Sequence, residues 1–496
     1  MSAHFPPRGM HGFAASLLGK LGVSIDGLVL DSRKTKPGDL FLAVPGEQSD
    51  GREFIPQAIA AGAAAVVWES RNFEWNREWQ VPNAGVPGLR DRLGEIADEF
   101  HGHPSRDLWM TGVTGTNGKT SCSHWIAQCL SRLGRKSAVI GTIGSGFPGA
   151  LQSAANTTPD AVALHAQLAA LVAEGASACA MEVSSHGIDQ GRVNGVEFDV
   201  ALFTNLSRDH LDYHKTMEDY AAAKGRLFRW PHLKHAVVNI DDTFGRELAA
   251  SIDRTRIKVL GYGLGRGEIA GHKLDLSTRG LTLEIETPWG AAHLESPMLG
   301  GFNASNLLGV LGVLMSAEVP LQDAVDALKH VQPVPGRMQM VREGDAPLVV
   351  VDYAHTPDAL EKILEALRAL LPPGARLLCV FGCGGDRDAG KRPLMGEVAT
   401  RRADHAWITS DNPRSEDPQS IIRDIAAGAH PNYSVEPDRA AAIAHALNEA
   451  QPEDVIVLAG KGHEAYQEIG GIRLPFDDAE VVRELLRRLP GQVRHV

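Results

Sequence analysis

The run Leu-Trp-Met-Thr-Gly-Val-Thr-Gly-Thr-Asn-Gly-Lys-Thr at 108–120 constrains this chain more than any other segment. An apolar stretch enters a glycine-rich turn, and a helical pattern follows in which Trp125, Ile126, Cys129, Leu130 and Leu133 share one face. A strand–turn–helix of this kind lets backbone N–H groups converge on phosphate oxygens, while the helix N-terminus contributes its positive dipole end. Gly115, Thr116, Asn117, Gly118, Lys119, Thr120 and Ser121 are the expected nucleotide contacts. Lys119 would reach the β- and γ-phosphates, and the Thr120 hydroxyl would bind Mg²⁺. One departure is plain: Val113 stands where the usual pattern has its first glycine, between Gly112 and Gly115.

Such a loop also needs a carboxylate near its metal, at the end of a neighbouring strand. The segment Ala-Cys-Ala-Met-Glu-Val at 178–183 supplies Glu182 near the exit of an apolar strand. A charge there is costly unless it is paired or metal-bound. A second strand, 199–204, runs into Asn-Leu-Ser-Arg-Asp-His at 205–210, which makes His210 a candidate ligand. His210 and His214 have the spacing of a zinc-protease pair, but no Glu follows the first His, so that reading is set aside.

The 496 residues exceed the usual domain length of roughly 150 several-fold. Apolar runs alternating with helical patterns suggest parallel sheets covered by helices. The stretch 101–105 reads as a linker, and Gln-Pro-Val-Pro-Gly at 332–336 as a second break. The expectation is an α/β chain of three domains, 1–104, 105–335 and 336–496. The first should carry a helix over 54–61 and a buried strand over 63–67. The last should carry strands at 348–352 and 375–381 around a helix at 357–370. Acidic residues outnumber basic ones by 61 to 49, a net charge of −12, which argues against coating nucleic acid or lying on a membrane. No apolar run approaches the ~20 residues of a membrane span, and no secretory signal is recognisable, so a cytoplasmic protein is expected. Five cysteines without a CxxC pair argue against a disulfide framework.

No Asn-Lys dipeptide exists to begin a guanine-recognition motif. The last third instead offers several polar strand-end motifs. Asn303 and Asn306 lie one turn apart, and Arg337 sits at the second break. Asp352-Tyr-Ala-His355 closes an apolar strand, as does the glycine-rich segment 381–388 containing Arg387. Parallel sheets put ligand contacts at such ends. Taken singly, each motif could equally be a turn or a cap.

Together, Gly115–Thr120, Glu182, the 205–210 segment, Asn303, Asn306, Arg337 and the 352–355 segment resemble the Mur ligases. These are ATP-dependent amide ligases that build the cell-wall stem peptide, and the glycine placement around Val113 is theirs. The resemblance covers the chain from about residue 28 onward. Its finest match is to the third-step members, carried by Asn156-Thr-Thr158, the runs 182–192 and 220–228, Asp411-Asn-Pro-Arg414 and Gly460-Lys-Gly-His-Glu464. It implies an N-terminal uridine-binding α/β domain, a central P-loop domain and a C-terminal Rossmann-like domain. It further implies ATP, Mg²⁺, UDP-N-acetylmuramoyl-L-alanyl-D-glutamate and meso-diaminopimelate as partners of a monomer.

By that resemblance Lys119, Glu182, His210 and Lys224 are catalytic, and Asn303, Arg337, Asp352 and His355 join the ATP site. Lys224 would react with CO₂ to give a carbamate (N6-carboxylysine) that binds Mg²⁺ alongside Thr120, Glu182 and His210. Leu30, Ser32, Glu47, Gln48 and Ser49 would take the uridine diphosphate, and Asn156, Thr157, Thr158, Ser184, Gln190 and Arg192 the muramoyl dipeptide. Arg387, Asp411, Asn412, Pro413, Arg414, Gly460 and Glu464 would bind diaminopimelate. An L-lysine-adding ligase, a folylpolyglutamate-type ligase and an ATPase without an amino-acid acceptor are the rival readings.

Overall fold

In the N-terminal part, strands Gly27–Val29, Asp39–Ala43, Ala65–Glu69 and Asn83–Val86 form a four-stranded parallel sheet in chain order. Side chains alternate across a strand, and here both faces are covered. Leu40, Leu42, Ala65 and Val67 meet Leu17, Leu93 and Ile96 of helices Phe13–Leu21 and Leu89–Phe100. Phe41, Ala43 and Val66 meet Ile55 and Ala58 of helix Ile55–Ala60. The helix expected from residue 54 thus starts one residue later, after a 3₁₀ turn, Gly51–Phe54, whose Arg52 N–H the Asp50 carboxylate caps. The strand expected at 63–67 is shifted to Ala65–Glu69.

The computed structural model describes residues 12–46, 49–153 and 156–488, so Glu47 and Gln48 lie outside the described residues. The chain divides into two compact units. One runs to Ala270 and includes Leu308–Ala327; the other comprises Gly271–Leu307 and the chain from Leu328 onward.

The first unit also holds the central sheet. Its parallel strands run in the order Lys258–Leu264, His235–Asn239, Val200–Phe203, Trp109–Thr114, Ala178–Glu182, Ser137–Ile140. Two short antiparallel strands, Ser145–Phe147 and Ala150–Gln152, extend it. Strand Trp109–Thr114 is central, and the chain leaves it toward one edge before returning to fill both of its sides. Its carboxyl end is therefore a topological switch point, where open α/β sheets bind ligands. Residues such as Met110, Met181, Ala201 and Phe203 are wholly buried between the helix layers.

The C-terminal sheet of the second unit begins with Gln339–Val341, antiparallel to Leu348–Asp352. Val455–Ala459, Leu377–Phe381, His405–Ile408 and Tyr433–Val435 then follow in parallel. Leu348 and Val350 face the core under helices Pro357–Arg368, Lys391–Arg402 and Pro418–Ala426. Val349 and Val351 face the core under Arg439–Glu449 and Asp478–Arg488. Those last two helices share an ion pair with no solvent exposure, Arg439 to Asp478 at 2.7 Å. The strand expected at 348–352 is found with those bounds, while the helix expected at 357–370 ends at Arg368.

Candidate active site

Strand Trp109–Thr114 ends at Gly115, whose φ of +151° and contact with the Thr204 hydroxyl (1.9 Å from where a Cβ would stand) admit no side chain. The turn is fixed from the next strand end. Thr116 N–H donates to the Asn205 carbonyl (2.8 Å), Asn117 N–H to Asn205 Oδ1 (2.9 Å), and the Thr204 hydroxyl to the Asn117 carbonyl (2.6 Å). Helix Lys119–Arg132 starts immediately, its N-terminus facing the loop. Lys119 Nζ bonds the Gly115 and Thr116 carbonyls at 3.0 and 2.9 Å. All seven loop residues expected at the nucleotide therefore belong to one strand–turn–helix.

Glu182 is opposite Val113 in the strand register, so its carboxylate reaches the loop. It is fully buried and accepts from the Thr120 hydroxyl (3.0 Å), the Thr142 hydroxyl (3.1 Å) and the Thr142 N–H (2.8 Å). A buried carboxylate beside a threonine hydroxyl at a phosphate loop is an oxygen donor set suited to a hard cation, so these residues fit Mg²⁺. Among the described residues no group of three His, Cys, Asp or Glu side chains could hold a metal. Thr142 escapes sequence reasoning; the signal is a hydroxyl two residues past strand Ser137–Ile140.

Lys224 comes from helix Met217–Gly225 and is 1% exposed. Its Nζ donates to the Gly115 carbonyl at 2.7 Å and lies 4.3 Å from the Tyr220 ring. Burial, with the Lys119 charge beside it, pushes its pKa well below that of an ordinary lysine. His210 has a φ of +54°, is half-exposed, and its ring lies 4.8 Å from His186. His214 packs instead against Ser185, its Nε2 2.9 Å from the hydroxyl.

A cleft of about 380 Å³ in the same unit gathers Ser49, Arg90, Asn156, Asp160, Gln190 and Arg192. Arg192 donates from Nε to Gln190 Oε1 (2.7 Å) and from a guanidinium NH₂ group to the Thr158 carbonyl (3.0 Å). Thr158 and Ser184 share a hydroxyl bond of 3.0 Å, and Thr157 reaches Thr142 at 3.0 Å. Leu30 and Ser32 do not line this cleft; the Ser32 hydroxyl donates to Gln57 at 2.8 Å. Arg90 was not expected, because only folding brings helix Leu89–Phe100 to the cleft.

In the second unit, Asn303 and Asn306 lie in the first turns of helix Gly301–Ser316. Their amides bond each other (3.1 Å), and Asn303 also donates to the Leu299 carbonyl (2.9 Å). Asp352 accepts the Met338 N–H at 2.8 Å, and burial raises its pKa. The Arg337 guanidinium lies 4.8 Å from the Tyr353 ring, and the His463 ring is tilted against that ring at 5.2 Å. Burial, and then Arg337, drives the His463 pKa down to about 4. His355 Nδ1 donates to the Tyr353 carbonyl at 2.8 Å.

The segments 411–414 and 460–470 are laced together. Asn412 donates to Glu464 (2.7 Å) and its Oδ1 accepts the Glu468 N–H (2.9 Å). Arg414, at φ +52°, bonds the Gly385 carbonyl through its guanidinium at 2.7 Å and the Glu468 carbonyl through its N–H at 3.0 Å. Gly460 has φ +111°, and a Cβ there would stand 2.5 Å from Asp411 Oδ2. Asp411 is buried, which raises its pKa. Pro413 is buried beside them, while Arg387 is exposed at the rim.

A phosphate loop at the switch point of a parallel sheet, with a buried carboxylate and a low-pKa lysine, defines a P-loop nucleotide-dependent enzyme. Three family profiles narrow the class: Mur ligase family, catalytic domain, over residues 24–101; Mur ligase middle domain over 113–314; and Mur ligase, glutamate ligase domain, over 336–462. The chain belongs to the Mur ligase family of ATP-dependent ligases. It is 54% identical to the UDP-N-acetylmuramoyl-L-alanyl-D-glutamate–2,6-diaminopimelate ligase of Chromobacterium violaceum, over 95% of this chain and 96% of that one. A solved structure of a ligase of the same name aligns with TM-score 0.69 at 39% identity, covering 93% of this chain and 95% of that chain. Mycobacterium tuberculosis folylpolyglutamate synthase shares the fold alone, with TM-score 0.62 at 19% identity over 81% of this chain and 96% of its own.

Proposed function

We propose that the chain joins meso-2,6-diaminopimelate to the D-glutamyl γ-carboxylate of UDP-N-acetylmuramoyl-L-alanyl-D-glutamate, using ATP, in peptidoglycan synthesis. The observation that carries the choice of acceptor is the Arg414 guanidinium, held on the Gly385 carbonyl at 2.7 Å, two residues after Asn412, whose amide donates to Glu464. Diaminopimelate differs from L-lysine by a carboxylate at its far end, and a fixed guanidinium binds such a group in bidentate fashion. Arg387 and Glu464, with Asp411, Pro413 and Gly460, complete the acceptor set.

A γ-carboxylate oxygen attacks the γ-phosphorus, the bridging P–O bond breaks and ADP leaves. The acceptor amine then attacks the acyl-phosphate carbon, loses a proton, and expels inorganic phosphate. Both steps bring anions together, so positioning and charge screening are the main protein contribution. Lys119 and the loop N–H groups hold the phosphates. Bound with ATP, Mg²⁺ neutralises phosphate charge; Thr120, Glu182, His210 and a Lys224 carbamate would hold it. The carbamate needs a neutral amine to attack CO₂, and the lowered Lys224 pKa supports that. Ser49, Asn156, Gln190 and Arg192 line the cleft suited to the nucleotide substrate, with Thr157, Thr158 and Ser184 behind them. Leu30, Ser32, Glu47 and Gln48 remain uridine-end candidates, and Asn303, Arg337, Asp352 and His355 ATP-site candidates. The domains we propose, 1–104, 105–335 and 336–496, follow the sequence breaks rather than the two compact units, which divide after Ala270; the enzyme is taken as a cytoplasmic monomer.

Phosphate release measured with the muramoyl dipeptide and either meso-diaminopimelate or L-lysine tests this reading. Release should require both organic substrates and prefer diaminopimelate by orders of magnitude. Equal use of L-lysine would overturn the acceptor assignment, and release without an acceptor would favour an ATPase.

A further inference from the structure

Lys461 is the only lysine of the described residues, besides Lys224, among the largest fully buried side chains, and its exposure is 0%. No step of the proposed reaction uses it. Burying an ammonium costs several kcal/mol unless its donors are all engaged. Here two donors and the charge are answered: Nζ donates to Asn412 Oδ1 at 3.3 Å and to the Tyr466 carbonyl, and forms an ion pair with Glu464 Oε2 at 3.6 Å.

These three acceptors belong to the two segments that form the acceptor site. Asn412 has its oxygen toward Lys461 and the Glu468 N–H, and its NH₂ toward Glu464. A cation facing Oδ1 fixes which way that amide points, because the reverse orientation would set N–H against ammonium. The same cation draws the Glu464 carboxylate inward. Tyr466 opens strand Tyr466–Ile469; Glu468 in it and Gly470 just after it exchange backbone bonds with Arg414 at 3.0 and 2.7 Å. Glu464 and Asn412 thus face Nζ directly, and the backbone of Arg414 is tied to it through Asn412 and Glu468.

We infer that Lys461 is a positioning residue for the amino-acid acceptor. It acts through Asn412, Glu464 and the 466–470 strand and touches no substrate. The inference rests on the proposed acceptor site but not on which amino acid fills it.

Lys461→Met and Lys461→Gln in the full chain test it, with kinetics for ATP and for whichever acceptor the wild-type enzyme uses, meso-diaminopimelate or L-lysine. With methionine the acceptor KM should rise tenfold or more while the ATP KM stays within twofold. Glu464→Gln should blunt the effect of Lys461→Met, because the lysine acts partly through that carboxylate. Glutamine keeps a donor for Asn412 or Tyr466 but loses the charge that faces Glu464, so its acceptor KM should rise severalfold rather than tenfold, and it carries the test if the methionine variant does not fold. Equal rises in both KM values, or an unchanged acceptor KM, would overturn the role. A wild-type preference for L-lysine would instead overturn the proposed function and leave this result readable.

Discussion

Lys224 and Lys461 are both sealed from solvent, at 1% and 0% exposure, yet their surroundings ask opposite things of them. Around Lys224 stand a carbonyl, an aromatic face and a second cation, Lys119, with Asp209 alone opposing the loss of its proton. Around Lys461 stand a carbonyl, an amide oxygen and the carboxylates of Asp411 and Glu464. Burial lowers both pKa values; at Lys224 the Lys119 cation adds to that against Asp209 alone, whereas at Lys461 the Arg439 cation is opposed by the carboxylates of Asp411, Glu464 and Asp478. Burial therefore does not say what a lysine is for; the sign of its neighbours does. On the proposed reading, Lys224 is suited to being neutral and reactive, and Lys461 to remaining a cation that organises oxygens.

The largest effect that would break this contrast is on kcat. Lys224→Ala should lower kcat by about a thousandfold, the scale of losing a preorganised charged group at the reaction centre. Short carboxylic acids should restore part of it by standing in for the carbamate. They should do nothing for Lys461→Met. Rescue of both variants, or an unaffected Lys224→Ala, would erase the distinction.

Next in size, Arg414→Ala should cut kcat/KM for diaminopimelate by about a hundredfold or more, since stranding a paired charge costs roughly 3–5 kcal/mol. ATP binding, measured by titration, should be nearly unchanged. A comparable loss of ATP affinity would mean that the acceptor-side network is not separable from the phosphate side. Arg192→Ala should raise the KM for the muramoyl nucleotide about tenfold and that for ATP less than twofold, marking a third chemistry within the phosphate-side unit; equal changes would remove Arg192 from the nucleotide cleft.

The smallest effect is on stability. A lysine whose native pKa lies below its unfolded value of 10.5 penalises the fold wherever it is protonated in both states. That penalty is fully present below the native pKa and disappears as pH rises toward 10.5. In CO₂-free buffer, Lys224→Met should raise the melting temperature by a few degrees at low pH, and the gain should fade as the pH approaches 10.5. A gain that grows with pH would contradict the environment described for Lys224.

Local order made the phosphate side legible from sequence. The strand, turn and helix of 109–132 are contiguous, and strand Leu348–Asp352 could be read from its unbroken apolar run. Contacts set by sheet order were not legible. Thr142 meets Glu182 because strand Ser137–Ile140 lies beside Ala178–Glu182, and nothing in either segment announces that neighbour. Lys461 meets Asn412 because the strands that precede them both flank Leu377–Phe381, and Arg90 reaches the cleft through the placement of its helix. Asn303 and Asn306 show the converse limit: their spacing was visible, but their mutual bond inside a helix was not.

Strand Val455–Ala459 sits between Leu348–Asp352 and Leu377–Phe381, which precede it in the chain and never pair with each other. At translation rates of about 5–20 residues per second, those two strands wait seconds for the one that joins them. Throughout that interval their apolar edges are open to other chains. The phosphate-loop sheet needs nothing from so late in the sequence between its own central strands, Val200–Phe203, Trp109–Thr114 and Ala178–Glu182. During synthesis the molecule thus acquires the sheet that carries its phosphate loop before the sheet that carries the proposed acceptor site. A ribosome stalled before residue 455 should display the first already resistant to protease and the second still cleavable.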